Sequence, residues 1–406
     1  MHSDGCARRL PEKTITSGGY SMPRWFDVKD RKRKPPSFSQ LSRPLRNILP
    51  DMPPLEARGN KKLELEFEQQ LNALILFHLD EHVSGSHLLQ ILQEDALARQ
   101  IVEVPHGIPK STFFEAINTR GLEQLSYLFD ALYKSAGNVL PKEHAKLGEL
   151  VGIDGSLIDA TLSMYWADYR KNDKKAKAHL AFDLNRSIPR KIDLSDGKAG
   201  ERPFAMEMLS EGQTGVMDRG YQCHKNFDLW QDQNKYFLCR IQDKTEKTIV
   251  REDEVPPNSM FFFDGLVLLG IPGKNRSENP LRLVGYKIAG KTYWIATNRF
   301  DLSADQIATI YKLRWEIEKF FAWWKRHLRV YHLIARSRYG LMVQILSGLI
   351  TYLLLAIFCH EQYREKVSIR RVRQLRIQIQ KEARSIDKDD PTIHDVKEHM
   401  ILNAKT

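Results

Sequence analysis

Three acidic residues in this chain have the sequence surroundings of catalytic groups: Asp154, Asp218 and Glu318. Each aspartate follows a short apolar run and is followed closely by a glycine, which predicts that both lie at the carboxyl ends of strands, where open α/β sheets hold their sites. Carboxylates are hard oxygen ligands, which suit Mg²⁺ or Mn²⁺ better than zinc. Two such ions about 4 Å apart can clamp the attacking and leaving oxygens of a phosphoryl displacement.

Glu318 belongs to the stretch 310–329, which contains neither Gly nor Pro and predicts one uninterrupted helix. At 100° per residue, its apolar residues form a core-facing stripe, and a second face lies beside them. That second face carries Tyr311, Arg314, Glu318 and Lys325. A carboxylate among cations suits a site for a metal ion and an anionic substrate. The alternative is an amphipathic helix with an ordinary i,i+4 ion pair between Arg314 and Glu318.

The charge balance points to a polyanionic partner. The chain has 406 residues, and Lys plus Arg (62) exceed Asp plus Glu (51), giving a net charge of +11. Such an excess is typical of nucleic-acid-binding proteins, although a basic enzyme without a nucleic-acid partner stays open. Arg219, directly after Asp218, joins Arg314 and Lys325 as a cation that could hold a phosphodiester. The four cysteines form no CxxC pair and the N-terminus has no apolar core of a signal peptide, which favours a reducing compartment.

The front of the chain predicts a basic arm followed by helices. Residues 1–60 are rich in Lys, Arg and Pro, which indicates a poorly ordered arm. The helices that follow include a tight connection at 107–112, which resembles a helix-turn-helix with Ser111 and Glu115 as a capping pair. The same region contains His78 and His82 in an H-x-x-E-H pattern, so a zinc hydrolase is an alternative, without a marked third ligand.

From residue 149 the pattern changes to short apolar runs that alternate with helices, which indicates an α/β domain. Residues 235–297 predict a second β-rich region between Asp218 and Glu318. The stretch 341–359 is apolar and long enough to cross a bilayer, but its polar residues favour a buried core helix. The run of arginines after residue 363 predicts a charged helix with a frayed end.

These residues resemble a known family. Tyr311, Arg314, Glu318 and Lys325 match the Y-x(2)-R-x(3)-E-x(6)-K signature of bacterial DDE transposases of the insertion-sequence-4 type. The segments VGIDGS around Asp154 and VMDRGY around Asp218 resemble the two aspartate motifs of that family.

The resemblance implies an α/β fold in which a ribonuclease H-like catalytic core, interrupted by a β-strand insertion, follows an N-terminal helical DNA-binding domain. It implies metal-dependent cleavage at transposon ends and strand transfer into target DNA, with Asp154, Asp218 and Glu318 holding two Mg²⁺ or Mn²⁺ ions. It also implies a homodimer that pairs two terminal inverted repeats in a synaptic complex, in the bacterial cytoplasm and without a membrane partner. In family members with such an insertion, cleavage passes through a hairpin at the transposon end, and a tryptophan stacks on a flipped base. Trp294 is the candidate for this role, unless it is a core residue of its strand.

The domain boundaries expected from these patterns are a basic arm (1–60), a helical DNA-binding domain (61–140), two parts of the catalytic domain (141–234 and 298–362), the β-rich insertion (235–297) and a charged tail (363–406). Two other functions stay open. One is a nuclease on the same fold that does not transfer strands. The other is a helix-turn-helix DNA-binding protein with an inactive core.

Overall fold

The computed structural model describes residues 34–55, 62–171, 173–328 and 332–388. The expectation of a poorly ordered arm is wrong for residues 34–55, which form two short helices. Phe38, Leu41 and Leu45 are buried there, and that apolar contact holds the helices against the body. The rest of the expected arm lies outside the described residues, as do residues 389–406 of the expected tail.

The described residues form thirteen α-helices, and each label below follows chain order. Their bounds are α1 (Pro36–Leu41), α2 (Arg43–Arg46), α3 (Phe67–Leu79), α4 (Gly85–Glu94), α5 (Ala96–Val102), α6 (Lys110–Thr119), α7 (Leu122–Val139), α8 (Arg202–Met208), α9 (His224–Asp232), α10 (Ala304–Leu313), α11 (Trp315–His327), α12 (Arg338–Tyr363) and α13 (Ile369–Lys388).

Within the described part of the chain, ten strands form a single sheet. Their bounds are β1 (Glu149–Asp159), β2 (Asp168–Arg170), β3 (Asp173–Asp183), β4 (Ile188–Asp196), β5 (Gln213–Met217), β6 (Tyr236–Arg240), β7 (Lys247–Glu252), β8 (Phe261–Leu269), β9 (Leu281–Ile288) and β10 (Lys291–Thr297).

The sheet has the topology of a ribonuclease H-like core. Strands β4, β3 and β1 are antiparallel neighbours, and β5 and β6 continue the sheet parallel to β1. Beyond β6 the same sheet continues in the order β10, β9, β8 and β7, and β2 pairs with β3 on the other side of β1. The expected fold class, an α/β ribonuclease H-like core with a β-strand insertion, is therefore confirmed.

Both faces of the sheet are covered, which explains the apolar character of its central strands. Leu150 and Ile158 of β1 face the larger core, which α3 to α7 and α10 to α13 complete. Val151 and Ile153 point the other way, into a smaller core with α8 and α9. Because side chains alternate along a strand, Asp154 has the orientation of Leu150 and Ile158 and faces the α11 side.

Three features of the structure differ from the predictions made from the sequence. The single helix expected at 310–329 is wrong, because the helix breaks at Arg314, where i→i+3 hydrogen bonds of 3.2 Å replace the usual ladder on both sides. The insertion cannot begin at 235, because β6 pairs in parallel with β5 and is the fifth strand of the core. The capping pair of Ser111 and Glu115 is also wrong: α6 begins after Pro109, without a side-chain cap.

Helix α12 is the apolar stretch that resembled a membrane span. It is long and apolar enough to cross a bilayer, but its most apolar stretch is 89% buried inside the fold. Its polar side chains are bonded within the protein: Gln344 Oε1 accepts from the Ile334 amide at 2.9 Å, and Thr351 donates to the Ser347 carbonyl at 2.8 Å. The prediction of a core helix is confirmed.

Candidate active site

The two aspartates are brought together by the register of β1 and β5. These strands pair in parallel, and Gly152 lies opposite Val216. Two residues further on, one strand reaches Asp154 and the other reaches Asp218. The two carboxylates are therefore neighbours with the same orientation at the end of the parallel pairing. Contrary to expectation, Asp154 does not end its strand: β1 continues to Asp159 because β3 still pairs with it.

The surroundings of Asp154 favour its neutral form. The pKa of this carboxyl is raised to about 7, mainly by burial and to a smaller extent by the nearby charges of Asp218 and Glu201. The Gly155 amide, 2.9 Å from Oδ1, and the Arg314 guanidinium act in the opposite direction. Adjacent carboxylates that resist ionising together are typical of sites that bind divalent cations, because the cation relieves their repulsion.

Glu318 is linked to this region by an ion pair with Arg314. Its Oε1 atom lies 2.6 Å from Nη1 of Arg314, and the Arg314 side chain is only 11% exposed. The guanidinium also lies over the rings of Tyr311 (5.8 Å) and Trp315 (5.5 Å), while its Nε is buried without a hydrogen-bond partner among the described residues. The ordinary i,i+4 pair considered from the sequence thus exists, and it lies beside Asp154.

Lys325 and Tyr311 hold this helical segment against the sheet. The ammonium of Lys325 donates to the Leu157 carbonyl of β1 at 2.7 Å, and burial lowers its pKa. Tyr311 is buried, packs edge-on against Tyr293 at 6.2 Å, and has a pKa raised to about 12 by burial. Two members of the helical signature therefore have clear structural roles at the site.

A fourth carboxylate, Glu201, was missed in the sequence. It precedes α8 and forms an ion pair with Lys177 at 3.4 Å. A Cβ atom on Gly155 would lie 3.0 Å from Oε1 of Glu201, and one on Gly220 would lie 3.3 Å from Oε2. Glycine at both positions leaves the space that this carboxylate needs. A signal existed, since glycine follows each aspartate, but nothing in the sequence linked those glycines to residue 201.

The donor chemistry suits a divalent cation, but a complete three-residue site is not formed. Asp154 and Asp218 present hard oxygen ligands side by side, and the buried hydroxyl of Tyr221 next to them has no hydrogen-bond partner in the described part of the chain. Across residues 34–55, 62–171, 173–328 and 332–388, no three His, Cys, Asp or Glu side chains are grouped to hold a metal ion. The ion pair with Arg314 holds Glu318 in its present position.

Two candidate residues from the sequence remain, Arg219 and Trp294. Arg219 is exposed and begins a short 3₁₀ turn after Asp218. Trp294 is half-buried in β10, where Phe262 and Phe263 meet its ring at 4.9 and 5.6 Å and the ammonium of Lys247 lies over it at 5.0 Å. This packing matches the core-residue alternative, and one face of the ring is covered by Lys247.

The histidines of the H-x-x-E-H pattern do not form a metal site among the described residues. His78 is fully buried, and its ring nitrogens lie 2.6 Å from the Leu328 carbonyl and 3.0 Å from the Ser347 hydroxyl. Burial lowers its pKa to about 4, so it is a neutral core residue. The structure gives the zinc alternative no support.

Fold and site together define a ribonuclease H-like protein with one aspartate within its central strand β1 and a second directly after the neighbouring strand β5. The family described as "Transposase DDE domain" matches residues 147–354, which is half of the chain. The chain therefore belongs to the DDE transposase family, whose members use divalent metal ions in catalysis.

Individual relatives agree with this assignment. A putative transposase, y4zB, of Sinorhizobium fredii is 28% identical over 201 residues, covering 47% of this chain and 56% of the relative. A probable transposase for an insertion sequence element of Geobacillus stearothermophilus is 27% identical over 209 residues, covering 50% and 54%. The chain thus spans about half the length of these two relatives. A cryo-EM structure of a piggyBac transposase synaptic complex with hairpin DNA has 12% identity and a TM-score of 0.44, covering 90% of this chain and 82% of that one.

Proposed function

We propose that this chain is a DNA transposase of the insertion-sequence-4 type, which cleaves DNA at transposon ends and transfers the cut strand into target DNA. The observation that carries the proposal is the register of β1 and β5, which sets Asp154 beside Asp218 on the face covered by the helix that bears Glu318. Membership of the DDE transposase family supports the same conclusion.

In this proposal Asp154, Asp218 and Glu318 are the catalytic residues that hold two divalent ions, Mg²⁺ or Mn²⁺. When bound, such ions activate an attacking water or 3′-hydroxyl and stabilise the leaving oxygen. Arg314 has two successive partners. It pairs with Glu318 in the resting protein and, when Glu318 turns toward the aspartates, its guanidinium is released to bind a DNA phosphate.

The DNA-contacting residues of the proposal are Arg314, Lys325, Arg219, Tyr311 and Trp294. Arg219 is exposed next to Asp218 and needs no rearrangement to reach a phosphate. The helices α3 to α7 would bind the terminal inverted repeats, and a homodimer would pair two ends in the bacterial cytoplasm. Stacking of a flipped base on Trp294 would require Lys247 to leave the ring face that it now covers.

One incubation tests the proposal. Full-length protein is mixed with linear DNA that carries the element's terminal repeats, a target plasmid and Mg²⁺. Joined products are expected, and they should disappear in Asp154→Asn, Asp218→Asn and Glu318→Gln variants. Asp232→Asn, which removes an exposed carboxylate at the end of α9, is the matched control and should join normally.

The two alternatives give different products in the same incubation. A nuclease on this fold leaves cut ends without joined products, even at high target concentration. A DNA-binding protein with an inactive core shifts the end DNA in a gel but neither cuts nor joins it, and the three substitutions then change nothing. Either outcome would overturn the transposase proposal.

A further inference from the structure

The C-terminal helix α13 divides its cations into two sets. Arg371 bonds to Glu365 at 2.6 Å and lies over the Tyr363 ring at 3.9 Å, and Arg376 bonds to Glu81 at 2.9 Å. These two arginines fix the helix to the body. A second set, also from α13, consists of Arg370, Arg373, Lys381 and Arg384, which are all exposed.

The second set lies along one face of the helix and is here called the α13 basic stripe (Arg370, Arg373, Lys381 and Arg384). At 100° per residue the four side chains fall within about 80° of one another. The buried residues Val372, Leu375 and Ile379 lie on the opposite side of the helix. The stripe therefore faces solvent, and at 1.5 Å per residue it extends over about 21 Å.

The stripe is not neutralised by the protein. None of its four side chains forms an ion pair or hydrogen bond with another described residue, and Glu365, whose charge acts on Arg370, is already bonded to Arg371. Four like charges on one helix face repel each other, which costs stability unless an anion binds there. The helix is also held firmly: Ser37 donates to Glu382 through its amide at 2.8 Å and its hydroxyl at 2.6 Å.

We propose that the α13 basic stripe binds the phosphate backbone of duplex DNA without sequence preference, at a surface separate from the catalytic residues. Long cationic side chains in a row match backbone phosphates, which carry charge but no sequence information. The stripe lies on an element that follows the family-matched residues 147–354, so the family assignment says nothing about it. The proposal uses the proposed function only to name DNA as the polyanion.

The test compares two variants of the full chain with equal net charge. One carries Gln at Arg370, Arg373, Lys381 and Arg384. The control carries Gln at four exposed lysines on other elements: Lys146, Lys244, Lys274 and Lys291. Binding to a random-sequence duplex is measured by fluorescence anisotropy in EDTA, which prevents cleavage, over a range of salt concentrations. Circular dichroism confirms that both variants fold.

The stripe variant should bind more weakly than the control, and the slope of log affinity against log salt should fall by up to about 3.6, or 0.9 for each lost phosphate contact. The same loss is expected on terminal-repeat DNA. Equal slopes in the two variants would overturn the proposal and make the stripe a solvated face. Binding of both variants to phosphatidylserine vesicles is measured in parallel. If the stripe variant lost vesicle binding but bound duplex DNA like the control, the proposal would also be overturned, in favour of a membrane surface.

The result is independent of the transposase proposal. If the wild-type protein neither cuts nor joins end DNA but the stripe variant loses duplex binding, the proposed function fails and the stripe assignment stands. If the wild-type protein joins end DNA and the stripe variant binds duplex DNA like the control, the proposed function stands and the stripe assignment fails.

Discussion

Replacing Asp154 by Asn should stabilise the metal-free protein at neutral and alkaline pH. Asn resembles the protonated carboxyl in shape and charge, and burial already favours that form by raising the pKa of Asp154 from 3.8 to about 7. An acid whose pKa is raised on folding supports stability below its unfolded pKa, and this support is lost as the pH rises through the folded pKa. The variant does not undergo this loss.

The size of the effect follows from the shift. A change from 3.8 to about 7 corresponds to roughly 4 kcal/mol, at about 1.36 kcal/mol per pKa unit. Near pH 5 the expected advantage of the variant is only about 1.5 kcal/mol, and by pH 8 it reaches nearly the full value of about 4 kcal/mol. Titrating groups that do not interact with Asp154, such as the buried His78, contribute equally to both proteins. The difference between the two curves therefore reports Asp154 together with the carboxylates coupled to it, Asp218 and Glu201.

The assay is urea unfolding of both proteins in EDTA at pH 5, 6, 7 and 8. Asp232→Asn is the control and should give a stability curve parallel to that of the wild type, because this residue is exposed. Adding Mg²⁺ at pH 8 should stabilise the wild type more than the variant, since a divalent cation binds the ionised carboxylate. If the free energy gained by Asp154→Asn were the same at pH 5 and pH 8, the assigned burial of this carboxyl would be refuted.

Four other substitutions have three different expected outcomes. Glu201→Gln removes a negative charge near Asp154 and should lower the pKa of that aspartate, measured by carboxyl NMR titration; an unchanged pKa would place Glu201 too far away to act. Arg314→Ala and Lys325→Ala should each weaken end-DNA binding and reduce its salt slope by about 0.9; slopes equal to that of the wild type would exclude phosphate contacts. Trp294→Ala should impair hairpin formation more than first-strand nicking on end DNA; equal losses in both steps would leave only its packing role.

Much of the site could be predicted from local sequence. Apolar runs of strand length before Asp154 and Asp218, and helical periodicity around Glu318, gave each candidate residue its element and its order along the chain. These signals are local, because strand alternation and helix period depend only on neighbouring residues. The core character of α12 was predicted in the same way, from the polar side chains spaced within its apolar stretch.

Predictions from the sequence were wrong where the structure depends on contacts between residues far apart in the chain. The assignment of β6 to the insertion was wrong because a strand's apolar pattern does not reveal that its neighbour is the parallel strand β5. The break at Arg314 has no glycine or proline to mark it. The run of arginines in α13 looked uniform in sequence, yet contacts with Glu81 and Glu365 separate paired members from exposed ones.

The sequence alone determined which carboxylates this protein has, in which order, and on which kinds of element they lie, because those features depend on residue type and local periodicity. Only the tertiary structure decided that Asp154 and Asp218 are side by side, that Glu201 lies against Gly155, and that Glu318 is paired with Arg314. Strand register and side-chain packing join residues far apart in the chain, and these contacts form only when the whole sheet and its covering helices have assembled.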